Sequence, residues 1–308
     1  MKYSGIGGQA VMEGVMMRNG KKYAIAVRKP DKEIDICIKD AKSTDDIWHK
    51  IPIIRGMITF VDSLVVGMSS LTHSASFFDE EDAPKKELTV EEQKKKDAAD
   101  KAIMGGTVVI SFVLALALFF ALPYFISLLV KKIICSEMLL ALIEGIIRIG
   151  IFIGYIWAIS KMEDIKRTFM YHGAEHKCIN CIEQGLPLTV DNVRASSKQH
   201  KRCGTSFIFI VFIISVFFFM FIRFDNVWVK LVARLILVPF IAGVSYEFIR
   251  IAGRYDNGII TVLSKPGMWL QNMTTCEPDD DMIEVGIASV EAVFDWKEFQ
   301  ENNIGMFL

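Results

Sequence analysis

The chain has 308 residues, with 35 lysines and arginines against 36 aspartates and glutamates, a formal net charge of −1 and a hydrophobic fraction of 52%. A near-neutral chain has no global basic field, so no nucleic-acid partner is expected. Mean hydropathy is +0.35, and apolar blocks alternate with lysine- and acid-rich stretches, the pattern of a chain divided between bilayer and water.

Met1 to Gly20 lacks a continuous apolar region, its glycines and Glu13 interrupting any run, so no cleavable signal peptide is expected. Gly7-Gly8-Gln9-Ala10-Val11-Met12-Glu13-Gly14 is glycine-rich. With no strand expected before it and no Lys-Ser/Thr after it, it is not a phosphate loop. Glu13 sits amid methionines, and a buried carboxylate there needs a partner. Within this first segment, residues 1–50, Lys22 to Lys39 reads as a β-hairpin whose turn is Pro30-Asp31. Residues 51–75 are apolar but carry Arg55, Asp62 and several glycines, which predicts an amphipathic or re-entrant helix lying against the bundle. Residues 76–102 are a charged linker containing Pro84.

Spanning a bilayer takes about 20 apolar residues in a helix. Ile103–Val130, with a kink at Pro123, and Met138–Ser160 meet that length in residues 103–160, and Thr205–Ile222 and Val227–Ile249 in residues 205–252. Glu144 and Arg148 are four apart and can pair on one helical face. With Arg234 and Glu247 they are intramembrane charges, which mark either an ion path or a buried structural lock. Lysine and arginine cluster before the first span, between the second and third, and after the fourth, which places both termini and residues 161–204 in the cytosol. The acidic tail, residues 253–308, reads as a short helix opened by Lys265-Pro266-Gly267 and a second from Met282 to about Phe294, capped by Asp279 to Asp281. The fold class is therefore mainly α: a polytopic helical membrane bundle of about four spans with a small cytosolic α+β layer. The partners expected are the lipid bilayer and a protein docking on that layer.

The chemistry concentrates in residues 161–204, which hold three of the five histidines and three of the six cysteines. In predicted cytosol, thiols clustered with histidine point to a metal or to catalysis. Two arrangements compete. His172-x-x-Glu175-His176 has the H-x-x-E-H order in which two histidines bind zinc and the glutamate polarises water. Cys178-x-x-Cys181 with His200-x-x-Cys203 has the form of a closed structural zinc site. At about 100° per residue, an unbroken helix puts His172, Glu175, His176 and Glu183 on one face and the two cysteines on another. A break near Asn180 would let all of them converge. The reading is one Zn²⁺ held by His172, His176, His200 and Cys203, with Glu175 as catalytic base. Glu183, Cys178 and Cys181 are secondary ligands.

Three segments, Gly8 to Arg18, Tyr171-His172-Gly173-Ala174-Glu175-His176-Lys177 and Cys203-Gly204-Thr205-Ser206-Phe207, resemble the YqhQ-like bacterial membrane proteins. These form a family of unknown function described as metal-dependent enzymes, and the resemblance covers nearly the whole chain. It implies a multi-pass protein of the bacterial cell membrane. Lys201 departs from the family pattern, which has proline there. Three functions remain open: a metal-dependent hydrolase at the cytosolic membrane face, a zinc-stabilised scaffold for a protein partner, and a transporter using the intramembrane charges.

Overall fold

The computed structural model describes residues 3–41, 47–78, 90–131, 133–134, 136–222, 224, 226–254 and 258–303. Residues 79–89 of the charged linker, with Pro84, and Lys132, Cys135 and Arg223 lie outside the described residues. The contacts divide the chain into two units, Met1–Asp79 with Tyr155–Ile214 and Leu237–Leu308, and Glu80–Gly154 with Ser215–Ile236.

In the first unit, four strands form an antiparallel sheet in chain order: β1 (Gly7–Val11), β2 (Gly14–Asn19), β3 (Lys22–Arg28) and β4 (Ile34–Asp40). The β3–β4 hairpin is the expected one, but the glycine-rich segment is itself a hairpin that the sequence reading left without strands. The reason is burial. Val15, Met17 and Ala26 enter one core, while Val11, Met16, Ile25 and Val27 enter another on the opposite face. A strand covered on both faces shows a continuous apolar run, not the alternation that marks a half-exposed one. Glu13 takes φ 48° in the two-residue connection of β1 to β2, and Gly20 takes φ 57° in that of β2 to β3.

Two helices cover one face of the sheet. These are α5 (Glu163–Glu183) and α10 (Asp280–Glu291), whose Ala174, Cys178, Ile182, Met282 and Ile283 share the core of Val15 and Met17. As expected, Asp279 caps α10, accepting from the Met282 N–H at 2.9 Å. A short helix α6 (Val190–Ala195) and a terminal one, α11 (Trp296–Glu301), complete this layer. The other face receives α1 (Ile54–Ala75), through Val66. Asp62 pairs with Arg18 at 2.5 Å, and the Ser74 hydroxyl accepts from the Met12 N–H at 3.2 Å. The start of α1 meets α8 (Val227–Arg254), with Gly56 against the backbone of Gly243 and Arg55 bonded to both oxygens of Glu247. Its outward stripe, Val61, Leu64, Val65, Met68 and Leu71, is exposed. The helix α9 (Gly258–Thr274) contains Pro266 within its length, so it begins before the Lys-Pro-Gly run expected to open it.

Among the described residues, four helices are long and apolar enough to cross a membrane: Ile54–Ala75, Gly105–Val130, Glu137–Ile159 and Val227–Gly253. The number agrees with the sequence reading and the membership differs. The segment expected to lie flat, α1, qualifies by length and composition, whereas the expected third span is the shorter apolar helix α7 (Gly204–Phe219).

The second unit contains α2 (Val90–Leu116), a π-helical turn at Ala117–Ala121, α3 (Leu122–Val130), and parts of α4 (Glu137–Ile159), α7 and α8. The turn has a cause in the sequence. Pro123 has no N–H to give the carbonyl four residues back, so the helix widens before it. The freed carbonyl of Phe119 accepts instead from Arg148 Nε at 2.9 Å. Glu144 takes Arg148 at 2.6 Å, as the i,i+4 spacing predicts, and also Arg234 at 2.7 Å to each oxygen. Glu247, grouped with these charges in the sequence, belongs to the first unit with Arg55.

Candidate metal centre

The helix α5 runs unbroken through Glu183, so its histidine and cysteine faces stay apart. His172 and His176 lie one turn apart with ring centroids 4.4 Å from each other. Each ring is fixed by a backbone carbonyl at Nδ1: Thr274 O at 2.8 Å for His172 and Lys198 O at 2.7 Å for His176. A proton on Nδ1 in these bonds leaves Nε2 as the free donor atom, the arrangement that orients metal-ligating histidines. Cys203 stands at the foot of α7, its Sγ 3.2 Å from His172 Nε2 and 2.9 Å from the Thr205 hydroxyl. One ligand atom from each of His172, His176 and Cys203 falls within 4.8 Å of the others.

Residues other than the candidate ligands hold the carbonyls in place. Lys177 is buried, donates to Arg194 O and Ser196 O at 2.8 and 2.9 Å, and pairs with Glu277. Asn180 donates to Ser197 O and Gln199 O at 2.6 and 2.9 Å. Together they bind the loop that presents Lys198 O to α5. Gln271 accepts from the His200 N–H and donates to His200 O and to the Ser206 hydroxyl, tying that loop to the start of α7. Gly173 lets Thr274 approach, since a Cβ there would lie 2.0 Å from the Cys276 carbonyl oxygen. Of these, Gly173 and Lys177 stand inside a recognised motif. Thr274 and Gln271 carry no sequence signal, because a backbone carbonyl and a lone amide look like any others.

Burial alone would raise the Cys203 thiol, but the neighbouring His172 and His176 outweigh it and hold it well below the ordinary thiol range. For His172, burial lowers the pKa and the Cys203 charge raises it further, to about 9. Two imidazoles and a sulfur held as thiolate are a donor set that fits Zn²⁺. Glu175 is 5% exposed, and burial raises its pKa against the opposing pull of His172, His176 and the Gly8 N–H. Its Oε2 is buried without a hydrogen-bond partner. The β1 strand comes close beside it, a Cβ on Gly8 standing 3.0 Å from Glu175 Cγ and 2.6 Å from Met16 O.

The remaining sequence-predicted residues are placed elsewhere. His200, expected as a ligand, is not in the triad: its Nε2 faces Glu183 Oε2 at 3.8 Å. Glu183 is drawn to Arg202 at 2.5 Å and to the Ser4 hydroxyl at 2.7 Å, which takes it out of ligand range too. Cys178 is buried in the apolar core against Gly286 of α10, and Cys181 donates to the carbonyls of Leu186 and Pro187. Glu13 finds its partners in Arg167, at 2.6 and 2.5 Å, and in the Tyr171 hydroxyl at 3.2 Å, so it braces the β1–β2 turn on α5.

A helical membrane chain with a small antiparallel sheet and this His-His-Cys cluster belongs to the family described as "Protein of unknown function (DUF1385)", which it matches over residues 51–296. It is 34% identical to the uncharacterised protein YqhQ of Bacillus subtilis (strain 168), over 96% of this chain and 94% of that protein. The strands β1 to β4 lie outside the matched family region. No solved structure matches the chain.

Proposed function

We propose that the chain is a zinc-dependent hydrolase working at the cytosolic membrane face, with His172, His176 and Cys203 holding the metal and Glu175 as base. One observation carries this reading. Three N/S donor atoms converge beside a buried carboxylate whose Oε2 has no partner. Among the described residues the cluster has three members, and three protein ligands with an open fourth position are the mark of catalytic zinc, whereas structural sites are closed by four. A zinc ion held there supplies Lewis acidity to a carbonyl or a water. Glu175 Oε2 takes up the proton released and returns it to the leaving group. Its raised pKa brings that exchange towards neutral pH, where a base can also act as an acid. Burial of Glu175 and His176 keeps bulk water from competing.

A zinc-stabilised scaffold is the second reading, and it needs a fourth protein ligand. The transport reading loses support, because both oxygens of Glu144 are already occupied by arginines. The test is metal content. Wild-type protein purified without chelator should hold about one zinc per chain, His172→Ala and Cys203→Ser should lose it, and the double variant Cys178→Ser/Cys181→Ser should keep it. Well-folded wild type without metal overturns both readings.

A further inference from the structure

The second unit contains a cleft lined by α3, α4 and the first turns of α8, and its charges do not balance. They form two tiers. At the mouth, Lys131 and Lys230 share one carboxylate, Glu137, at 3.3 and 3.2 Å. One to two turns deeper, Arg148 and Arg234 share Glu144. Among the described residues, each tier has two cations to one anion. The deeper tier is closed to solvent, with Arg148, Arg234 and Glu144 exposed by only 1%, 2% and 3%. An uncompensated positive charge at such a depth is costly unless something neutralises it.

Among the described residues, the buried atom of the deeper tier left without a partner is a donor. Glu144 accepts three arginine N–H bonds over its two oxygens, whereas Arg234 Nε is buried without an acceptor. Arg148 donates from each of its three nitrogens, to Phe119 O, the Ser215 hydroxyl and Glu144. Arg234 and Lys230 both flank the ring of Tyr124, at 5.5 and 5.7 Å from its centroid, so mouth and interior are joined by one aromatic wall. A cation entering this cleft meets only excess positive charge. An anion meets lysines at the mouth and a guanidinium behind them, the combination that recognises phosphate.

We propose that this cleft binds a phosphate-bearing anion, independently of the metal centre. Lys131 and Lys230 capture the phosphate, and Arg234 supplies the field and the free N–H behind it. Glu144 is the clamp that fixes both arginines, not a relay. Glu137 and Glu144 are two helical turns apart, about 10 Å along the axis. That depth suits the phosphate of a lipid headgroup, and a soluble phosphate entering from the water offers the same chemistry.

The experiment uses the full-length protein in nanodiscs, with retained lipid counted by native mass spectrometry. Phosphatidylglycerol is set against a neutral glycosyl-diacylglycerol, and inorganic phosphate is added as competitor. About a tenfold preference for phosphatidylglycerol, lost in Lys230→Gln and in Lys131→Gln/Lys230→Gln, supports the site with a lipid source. Binding of inorganic phosphate without lipid preference, lost in the same variants, supports it with a soluble source. Arg234→Lys keeps the charge and removes the fork, and it should weaken binding in whichever arm responds. Because the lysines stand outside the Glu144 clamp, their variants report binding even if Arg234 variants fail to fold. No preference between the lipids and no phosphate binding overturns the proposal.

Discussion

Replacing Glu175 with glutamine keeps its size and its acceptance of the Gly8 N–H while removing the ability to take a proton. If Glu175 Oε2 is the base, Glu175→Gln should keep its zinc and its fold and lose about 10²–10⁴-fold in rate. In a deletion strain, it should fail to rescue the defect that wild type rescues. If Glu175 merely orients His172 or His176, the same change should weaken metal affinity by about 10–100-fold and cost function only in proportion. Metal titration beside complementation separates the two, and full metal with full function ends the catalytic reading. A second residue-scale prediction concerns acid. His200 is pushed down to about 4 by burial, with Glu183 opposing and Arg202 and His176 adding to the shift. Glu183 is raised by burial, but His200, Arg202 and the Ser4 N–H outweigh this and bring it down to about 2. Both folded pKa values lie below the ordinary ones of 6.5 and 4.5. Both contributions are thus complete above those ordinary values and are lost as pH falls, first between 6.5 and 4, then between 4.5 and 2. Thermal melts in detergent should show this two-part loss, and Glu183→Gln should flatten the lower part. His172, His176 and Cys203 were legible as candidate donors, because few residue types bind metals. Which of His200, Glu183 and the Cys pair would join them was not, since it depends on Arg202 and Ser4 drawing Glu183 away.

At the scale of elements, the helix-face argument on α5 needed only the absence of a break, and α5 runs through Glu183 without one. The hairpin of β1 and β2 was hidden because both its faces are covered, although Asn19-Gly20 is a turn signal that marks its end. Conversely, α1 has the length and composition of a span, yet its Asp62, Val66, Gly67 and Ser74 face the sheet. A helix with that polar contact on one side and an exposed stripe of Val61, Leu64, Val65, Met68 and Leu71 on the other suits the bilayer surface, not its middle. A fluorophore attached at Leu64 in reconstituted protein should therefore be quenched more by nitroxides near the lipid headgroup than by nitroxides deep in the acyl chains. Stronger quenching from the deep label would make α1 a span.

For the whole molecule, membrane crossings can be counted by parity. The strands β1 and β2, the helix α5 and the helix α10 share one core, so all three segments must be on the same side of the bilayer. Between β4 and α5 the chain offers three apolar helical stretches: α1, α2 continued by α3, and α4. An even number of crossings requires one of them not to cross, and α1 is the one whose face is covered by the sheet. Between α5 and α10, the long helix α8 needs a companion crossing. The 16 residues of α7 rise only about 24 Å, short of a hydrocarbon core of about 30 Å. Its sequence continues as Met220-Phe221-Ile222, and local thinning accommodates the rest at modest cost. The count returns to four crossings, with the metal centre, the N-terminal sheet and the C-terminal helices on one side. The lysine and arginine asymmetry predicts that this side is the cytosol. Cysteines introduced one at a time at Asp191, Glu301 and Ser136 test this with an impermeant, mass-tagging thiol reagent on intact cells. The tag should add at Ser136 only, and at Asp191 and Glu301 only after lysis, with unaltered protein run alongside to subtract native thiols. Labelling of Asp191 and Glu301 together from outside would invert the orientation and keep the parity. Labelling of one without the other would break the parity, and with it the assignment of α7 as a span.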